Sequence, residues 1–412
     1  MSDVAGGGVG RLGEKMATMP RIISVDDHIL EPPTLWTERL PKEFVDRGPR
    51  VVRQRGRNEG LKFFPTESAP FVDVWYYDDL VYPLFMLSAA VGFDELSFDM
   101  TTYDAVRPGT WKQAERLIDM DADGVDAALC FPNTFPRFCG QGFTERQDKE
   151  LALLCVKAYN DWMIDEWSAG AAKGKLIPIT IVPLWDAELA AQEVRRCAAK
   201  GSFAVAFTEN PEPLGLPNLY ANRYWDVFYK AIEETETTLC MHIGSSSKMP
   251  TTTTGAPFVM GPILDWSNSM CSLLDYIFSG ALERFPKMKI AYSEGQVGWM
   301  PYLLERADKI WEEFHGEQFE NTVPNPPSSY IAGRVYGCIF DDDTGLRNRD
   351  VVGMDQICFE TDYPHAQATF PNTMQAFEKL VTKAGLSETE IYKLARGNAI
   401  KAFGLERFGI TK

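Results

Sequence analysis

Eight short apolar segments punctuate this chain, and they constrain its fold more than any other feature. They occupy 22–28, 126–132, 176–183, 203–208, 237–243, 289–294, 336–340 and 356–362. Each is rich in β-branched or aromatic residues and is bounded by Gly, Pro or polar residues, the signature of a buried strand. Helical patterns lie between most of them. In 110–122, Ala114, Leu117, Ile118 and Ala122 recur at helical spacing, and 148–169, 187–200 and 224–234 follow suit. Strands alternating with helices imply parallel pairing, because each crossover needs a helix to return the chain. Eight such units predict an α/β chain closed as a (β/α)8 TIM barrel, with an open doubly wound sheet as the rival.

One interval breaks the rhythm. Residues 31–109 are rich in Pro, Asp and aromatics and carry the charge cluster RGPRVVRQRGR. They read as an insertion after the first strand that lies over the barrel mouth or contacts another subunit. The aromatics at 75–77 and 82–85 predict either a pocket lining or a subunit contact. An insertion this apolar needs burial, which predicts a homo-oligomer or an assembly with a related subunit. A second irregular stretch, 245–261 with its TTTTG run, reads as a lid or as a plain surface loop. Near the C-terminus, Ser387 and Glu390 form a capping box that opens a helix, broken near Gly397. The resulting division is a disordered leader at 1–20, a barrel at 21–405 and a tail at 406–412.

The formal net charge of −17 disfavours a nucleic-acid partner, which would need a basic face, and an anionic membrane surface for the same reason. No window offers the roughly 18 apolar residues of a membrane span, and the start of the chain has no signal-peptide core. The eight cysteines are scattered, without a CxxC pair, and read as small buried hydrophobes in a reducing compartment. These features together predict a cytoplasmic protein.

The ionisable residues fall at particular places. The first segment ends IISVDDHILEPP, the fifth LCMHIG, the sixth IAYSEG and the eighth CFETDYPH. The C-terminal strand ends of a barrel share one rim, where active sites sit. Asp26, His28, His242, Glu294, Asp362 and His365 should therefore converge, and alternation puts Asp26 and His28 on one face with Asp27 on the other. Three of the four histidines fall in this cluster; the fourth, His315, reads as a surface residue. Converging carboxylates repel one another, and a divalent cation supplies the compensating charge. Otherwise they need protons or an arginine, for which Arg107, Arg306 and Arg334 are the candidates.

Secondary candidates have structural readings. Asp27 bonds a neighbouring helix, Glu31 caps a loop, and Trp299 packs near the barrel top. Asn398 satisfies backbone groups where two helices meet, and Asp341, Asp342 and Asp343 form a solvated acidic turn.

The chain also resembles a known family. VDDHILEPPTLW, FPKMKIAYSEGQVGWMP, FETDYPH and ARGNAIKAFGL, in that order from about residue 21 to 405, are similar to the amidohydrolase superfamily. The resemblance is to the branch that contains aminocarboxymuconate-semialdehyde decarboxylase and related aromatic-acid decarboxylases and hydrolases. It implies metal ligands at Asp26, His28, His242 and Asp362. Two departures stand out, since that family carries His where this chain has Asp26 and often a catalytic His where it has Glu294. More oxygen ligation shifts preference from zinc toward Fe, Mn or Co, so Zn, Fe, Mn and Co all stay open, as one ion or two. His365 would join Glu294 and His242 at a second ion, or orient Asp362.

The resemblance implies an enzyme acting on a small molecule. The leading expectation is a hydrolase that uses metal-activated water, with Glu294 or His242 moving the proton. The alternatives are a decarboxylase of an aromatic or unsaturated acid, a dinuclear non-haem metal oxygenase, and a non-catalytic subunit that keeps a structural metal.

Overall fold

The computed structural model describes residues 19–318 and 321–412. The leader expected before residue 19 lies outside the described residues, as does the side chain of His315. Eight parallel strands form the barrel in strict sequence order: β1 (Ile22–Ile29), β6 (Val125–Pro132), β7 (Leu176–Thr180), β8 (Ala204–Phe207), β9 (Thr238–His242), β10 (Lys289–Ser293), β11 (Val335–Ile339) and β12 (Ile357–Phe359). They are buried almost throughout, because helices cover their outer faces and side chains fill the interior. Helices Lys149–Trp162, Ala187–Ala199, Asp226–Glu234, Trp266–Phe278, Met300–Gln318 and Thr373–Ala384 return the chain between strands or follow the last. No helix among the described residues is long and apolar enough to cross a membrane.

Closure falls at the seam between the first and last strands, where the ligand candidates cluster. Asp362 N donates to Asp26 O (3.0 Å) and His28 N donates to Tyr363 O (2.6 Å). A bulge in β1 between Ser24 and Asp27 shifts its register against β6 by one residue, and such bulges re-aim side chains next to active sites. Asp27 points away from the site. It accepts from Ser24 Oγ (2.8 Å) and Thr361 Oγ1 (2.5 Å) and pairs with Arg116 Nη1 (3.3 Å).

Arg116 corrects the apolar seam read from 110–122. In helix Gln113–Ala122 the buried side chains are Arg116, Asp119 and Met120, whereas Ile118 is 67% exposed. Polar groups can face the barrel here because each finds a partner. Arg116 donates to Gly109 O (2.7 Å) and to His28 O (2.5 Å) besides Asp27. Asp119 accepts from Arg107 (2.7 Å) and from the Tyr363 hydroxyl (2.7 Å).

The interval after β1 contains an antiparallel sheet of β2 (Arg50–Glu59), β3 (Lys62–Pro65), β4 (Phe71–Tyr77) and β5 (Leu80–Pro83), in the order β3-β2-β4-β5. Its aromatics are satisfied within the chain. Trp75 and Tyr77 are buried against Phe135, which follows β6, and Trp36 packs edge-on to Trp75 at 5.4 Å. Trp75 and Tyr77 thus serve in the insertion's own core. Glu31 is fully buried and caps the loop after β6, accepting from Asn133 N (2.9 Å), Thr134 N (2.9 Å) and the Thr134 hydroxyl.

Elsewhere, Asn398 donates to Met354 O and Ile357 O (both 2.7 Å), and the capping box at Ser387–Glu390 forms. Asp342 is not solvated: it accepts from Val297 N, Gly298 N and Gly345 N and ties the β10 and β11 loops together. Asp343 pairs with Lys383. Cys271 is exposed, unlike the other seven cysteines.

Candidate metal centre

The strand ends bring the six candidates together. His28 Nε2 lies 3.0 Å from His242 Nε2, 3.5 Å from Asp26 Oδ1 and 3.7 Å from Asp362 Oδ1. His242 Nε2 lies 3.3 Å from Asp26 Oδ2 and 3.8 Å from Glu294 Oε2. Two groups of four could each hold an ion, Asp26, His28, His242 and Glu294 in one, and His28, Glu294, Asp362 and His365 in the other; the donor atoms within each lie within 4.8 Å. Both groups use His28 and Glu294.

The donor set fits a divalent cation better than it fits its own hydrogen bonding. Both oxygens of Asp26 are buried without a hydrogen-bond partner, a costly arrangement unless something else takes their lone pairs, and the buried Oδ1 of Asp362 has the His365 imidazole beside it. His242 Nδ1 donates to Ile243 O (2.7 Å), which leaves the Nε2 lone pair facing His28 and Asp26. Two imidazole nitrogens and bare carboxylate oxygens then converge on one point. A bound cation resolves that conflict, and imidazole with carboxylate suits the first-row divalent metals.

Burial dominates the electrostatics. Desolvation, with the neighbouring carboxylates, pushes Asp26, Glu294 and Asp362 well above the usual carboxyl range. The same desolvation lowers His28 and His365 and pushes His242 down to about 3. Glu294 and Asp362 both adopt left-handed backbone conformations, with φ of 56° and 53°. Strain of this kind collects at functional sites, and it aims these two side chains inward from the ends of their strands.

His365 Nδ1 sits 2.8 Å from Asp362 Oδ1, and its Nε2 sits 3.3 Å from Asn133 Oδ1. None of the arginines considered from the sequence reaches the cluster: Arg107 holds Asp119, Arg334 donates to Leu282 O and Phe285 O, and Arg306 is exposed. Trp299 packs against the core and donates to Gly295 O.

Sequence reasoning missed three contributors. Glu360 is buried and accepts from Glu294 N (3.1 and 3.2 Å). It shares the alternation of Asp362 in FETD, which was the available signal. Phe138 stacks on His242 at 4.1 Å, with no local pattern to mark it. Arg116 carried no signal either, since its helix reads as amphipathic with another face inward.

A cleft of about 750 Å³ meets the centre at Glu294, and Ile243, Gln296, Trp266, Phe340 and Leu380 are among the other residues that line it. The stretch 245–261 begins buried at Ser245, whose hydroxyl accepts from Glu209 N (2.9 Å), and is exposed at 251–255.

A family model described as amidohydrolase matches residues 61–405. The chain belongs to the amidohydrolase family. It is thus an enzyme of that family, and both hydrolase and carboxy-lyase chemistry remain open to it. Asp26 and His28 precede the matched segment. A gamma-resorcylate decarboxylase from Polaromonas sp. strain JS666 is 25% identical over 316 residues, covering 72% of this chain and 88% of that protein. An amidohydrolase from Mycobacterium avium subsp. paratuberculosis K-10 superposes with a TM-score of 0.69 at 22% identity, over 93% of this chain and 99% of that one. A dihydroxybenzoic acid decarboxylase from Polaromonas sp. JS666, solved with bound manganese and the inhibitor 2-nitroresorcinol, gives 0.61 at 17% identity over 94% and 98%. These structural likenesses bear on the fold.

Proposed function

We propose that this amidohydrolase is a metal-dependent decarboxylase of aromatic acids that carry a hydroxyl beside the carboxylate. The reading departs from the hydrolase expected first. It draws on two of the relatives, the gamma-resorcylate and dihydroxybenzoic acid decarboxylases, and on one observation in this chain: the partnerless Asp26 oxygens facing the two imidazoles of His28 and His242. In this proposal Asp26, His28, His242 and Asp362 hold the ion, and manganese fits their mixed nitrogen and oxygen donors.

When bound, the ion supplies Lewis-acid polarisation and an anchor for the substrate's carboxylate and hydroxyl. The chain's own residues move the proton. Burial and the nearby Asp362 favour the protonated form of Glu294, which also lines the cleft. Its carboxyl hands that proton to the ring carbon bearing the carboxylate. The carbon–carbon bond then breaks, its electron pair restores the aromatic ring, and carbon dioxide leaves. Glu294 recovers a proton from water in the cleft. Phe138, stacked on His242, keeps water from that side of the ligand, and His365 orients Asp362.

The test is carbon dioxide release from ortho-hydroxybenzoic acids by the manganese-loaded protein in deuterated water. The reading expects one deuteron at the vacated ring position and loss of turnover in Glu294→Gln. Turnover that survives in Glu294→Gln, or no carbon dioxide from any such acid, would count against it.

The two ligand groups that use His28 and Glu294 in common favour one second reading, a dinuclear non-haem oxygenase with Glu294 between two ions. Activity that stops when dioxygen is removed, with two metal ions per chain, would establish that reading instead.

A further inference from the structure

We infer that the substrate of this site is larger than a single ring, an aromatic hydroxy acid extended by a second ring or an equally bulky apolar group. The inference rests on the decarboxylase reading for its reactive end and on the cleft for its size. A cavity of about 150 Å³ accommodates one benzene ring. The cleft that opens on Glu294 measures about 750 Å³, which is in the range of pockets for drug-sized molecules.

The walls say what fills the extra space. Pro262, Trp266, Phe340, Ala376 and Leu380 line the cleft with apolar groups alongside Glu294. Asp265, Asp341 and Lys379 line the cleft beside them, as does the ion pair of Lys383 with Asp343. The apolar surface also continues outward. Phe258, Val259 and Ile263 flank Pro262 and are all more than half exposed. Phe258 meets Phe98 of the insertion edge-on at 5.3 Å. A single-ring acid anchored at the centre would leave the half-buried Trp266 and Phe340 facing water. A second ring, attached away from the carboxylate, would cover them, and burial of that apolar area is favourable.

The experiment compares 2-hydroxybenzoate with 1-hydroxy-2-naphthoate on the manganese-loaded wild-type protein, by kcat/KM for carbon dioxide release and by calorimetric binding. The inference expects the two-ring acid to be favoured by about tenfold or more, the size of effect a second buried ring supplies. Ala376→Trp, which narrows the cleft, should erase most of that preference. Equal or better use of the single-ring acid overturns the inference and leaves the decarboxylase reading standing. Tighter binding of the two-ring acid without carbon dioxide from either acid supports the inference and sinks the decarboxylase reading. A preference unchanged in a folded Ala376→Trp protein also overturns it.

Discussion

Replacing Arg116 with methionine should destabilise the barrel at its seam, and the structure sets the scale. Arg116 and Asp27 are both essentially inaccessible, 3.3 Å apart. Removing one member of a buried pair leaves the other charge without compensation, at a cost of about 3–5 kcal/mol. The substitution also strips donors from Gly109 O and His28 O. These losses overlap, so about 4 kcal/mol is the expected total. With unfolding entropy of about 2.1 cal/mol/K per residue over 412 residues, that corresponds to a fall in Tm of about 5 °C. Asp27 already has a raised pKa from burial, which Arg116 opposes. Without Arg116 it rises further, so the folded variant holds a proton that the unfolded chain releases as pH increases. The deficit should therefore grow with pH. Calorimetric Tm of the metal-loaded variant at acidic and alkaline pH measures both effects, and Asp27→Asn added to Arg116→Met should recover part of the loss. A drop below about 1 °C, or a double variant no better than the single one, would refute the account of this seam.

Other outcomes follow from the same contacts. Glu31→Ala leaves the Asn133 and Thr134 N–H groups buried without their acceptor and should cost about 3 kcal/mol in urea denaturation. Ser387→Ala removes the capping-box hydroxyl and should cost about 1 kcal/mol, read the same way. In chelated protein, the raised pKa values of Asp26, Glu294, Glu360 and Asp362 mean that the fold keeps protons the unfolded chain has lost. Its stability should fall as pH rises above about 4, the carboxyl range of the unfolded chain, by up to about 1.4 kcal/mol per pH unit for each such proton, a fall unopposed by histidine only above about 6.5. Below that pH the depressed histidines act the other way, because the unfolded chain takes up protons that the folded His28, His242 and His365 refuse. Thermal midpoints of chelated and manganese-loaded samples across this range check both limbs, and the metal-loaded protein should show the flatter profile.

The barrel was legible because its strands are buried on both sides, so Ala127–Phe131 and Leu239–Met241 form apolar runs that no surface element would carry. The site was legible for a related reason: His and Asp at the ends of such runs have no packing purpose. The insertion sheet was hidden because β2 shows solvent most of its face, and RVVRQRGRNE reads as a charge cluster instead of a strand. The inward face of helix Gln113–Ala122 was hidden for the opposite reason. Hydrophobic periodicity cannot find a buried arginine whose partners are the Asp27 carboxylate and the His28 carbonyl, far away in the chain, with the carbonyl of Gly109 nearby. Glu360 illustrates an intermediate case, in which alternation pointed inward but the adjacent Asp362 drew the assignment.

The central claim is that β1, β9 and the residues after β12 jointly hold a catalytic cation. Titration of manganese into chelator-stripped protein, followed by the paramagnetic resonance of the free ion, tests it most directly. The account predicts stoichiometric binding by the wild type and a loss of affinity of about a hundredfold or more in Asp26→Asn and in His242→Ala, with the fold retained. Equal binding by wild type and both variants would contradict it.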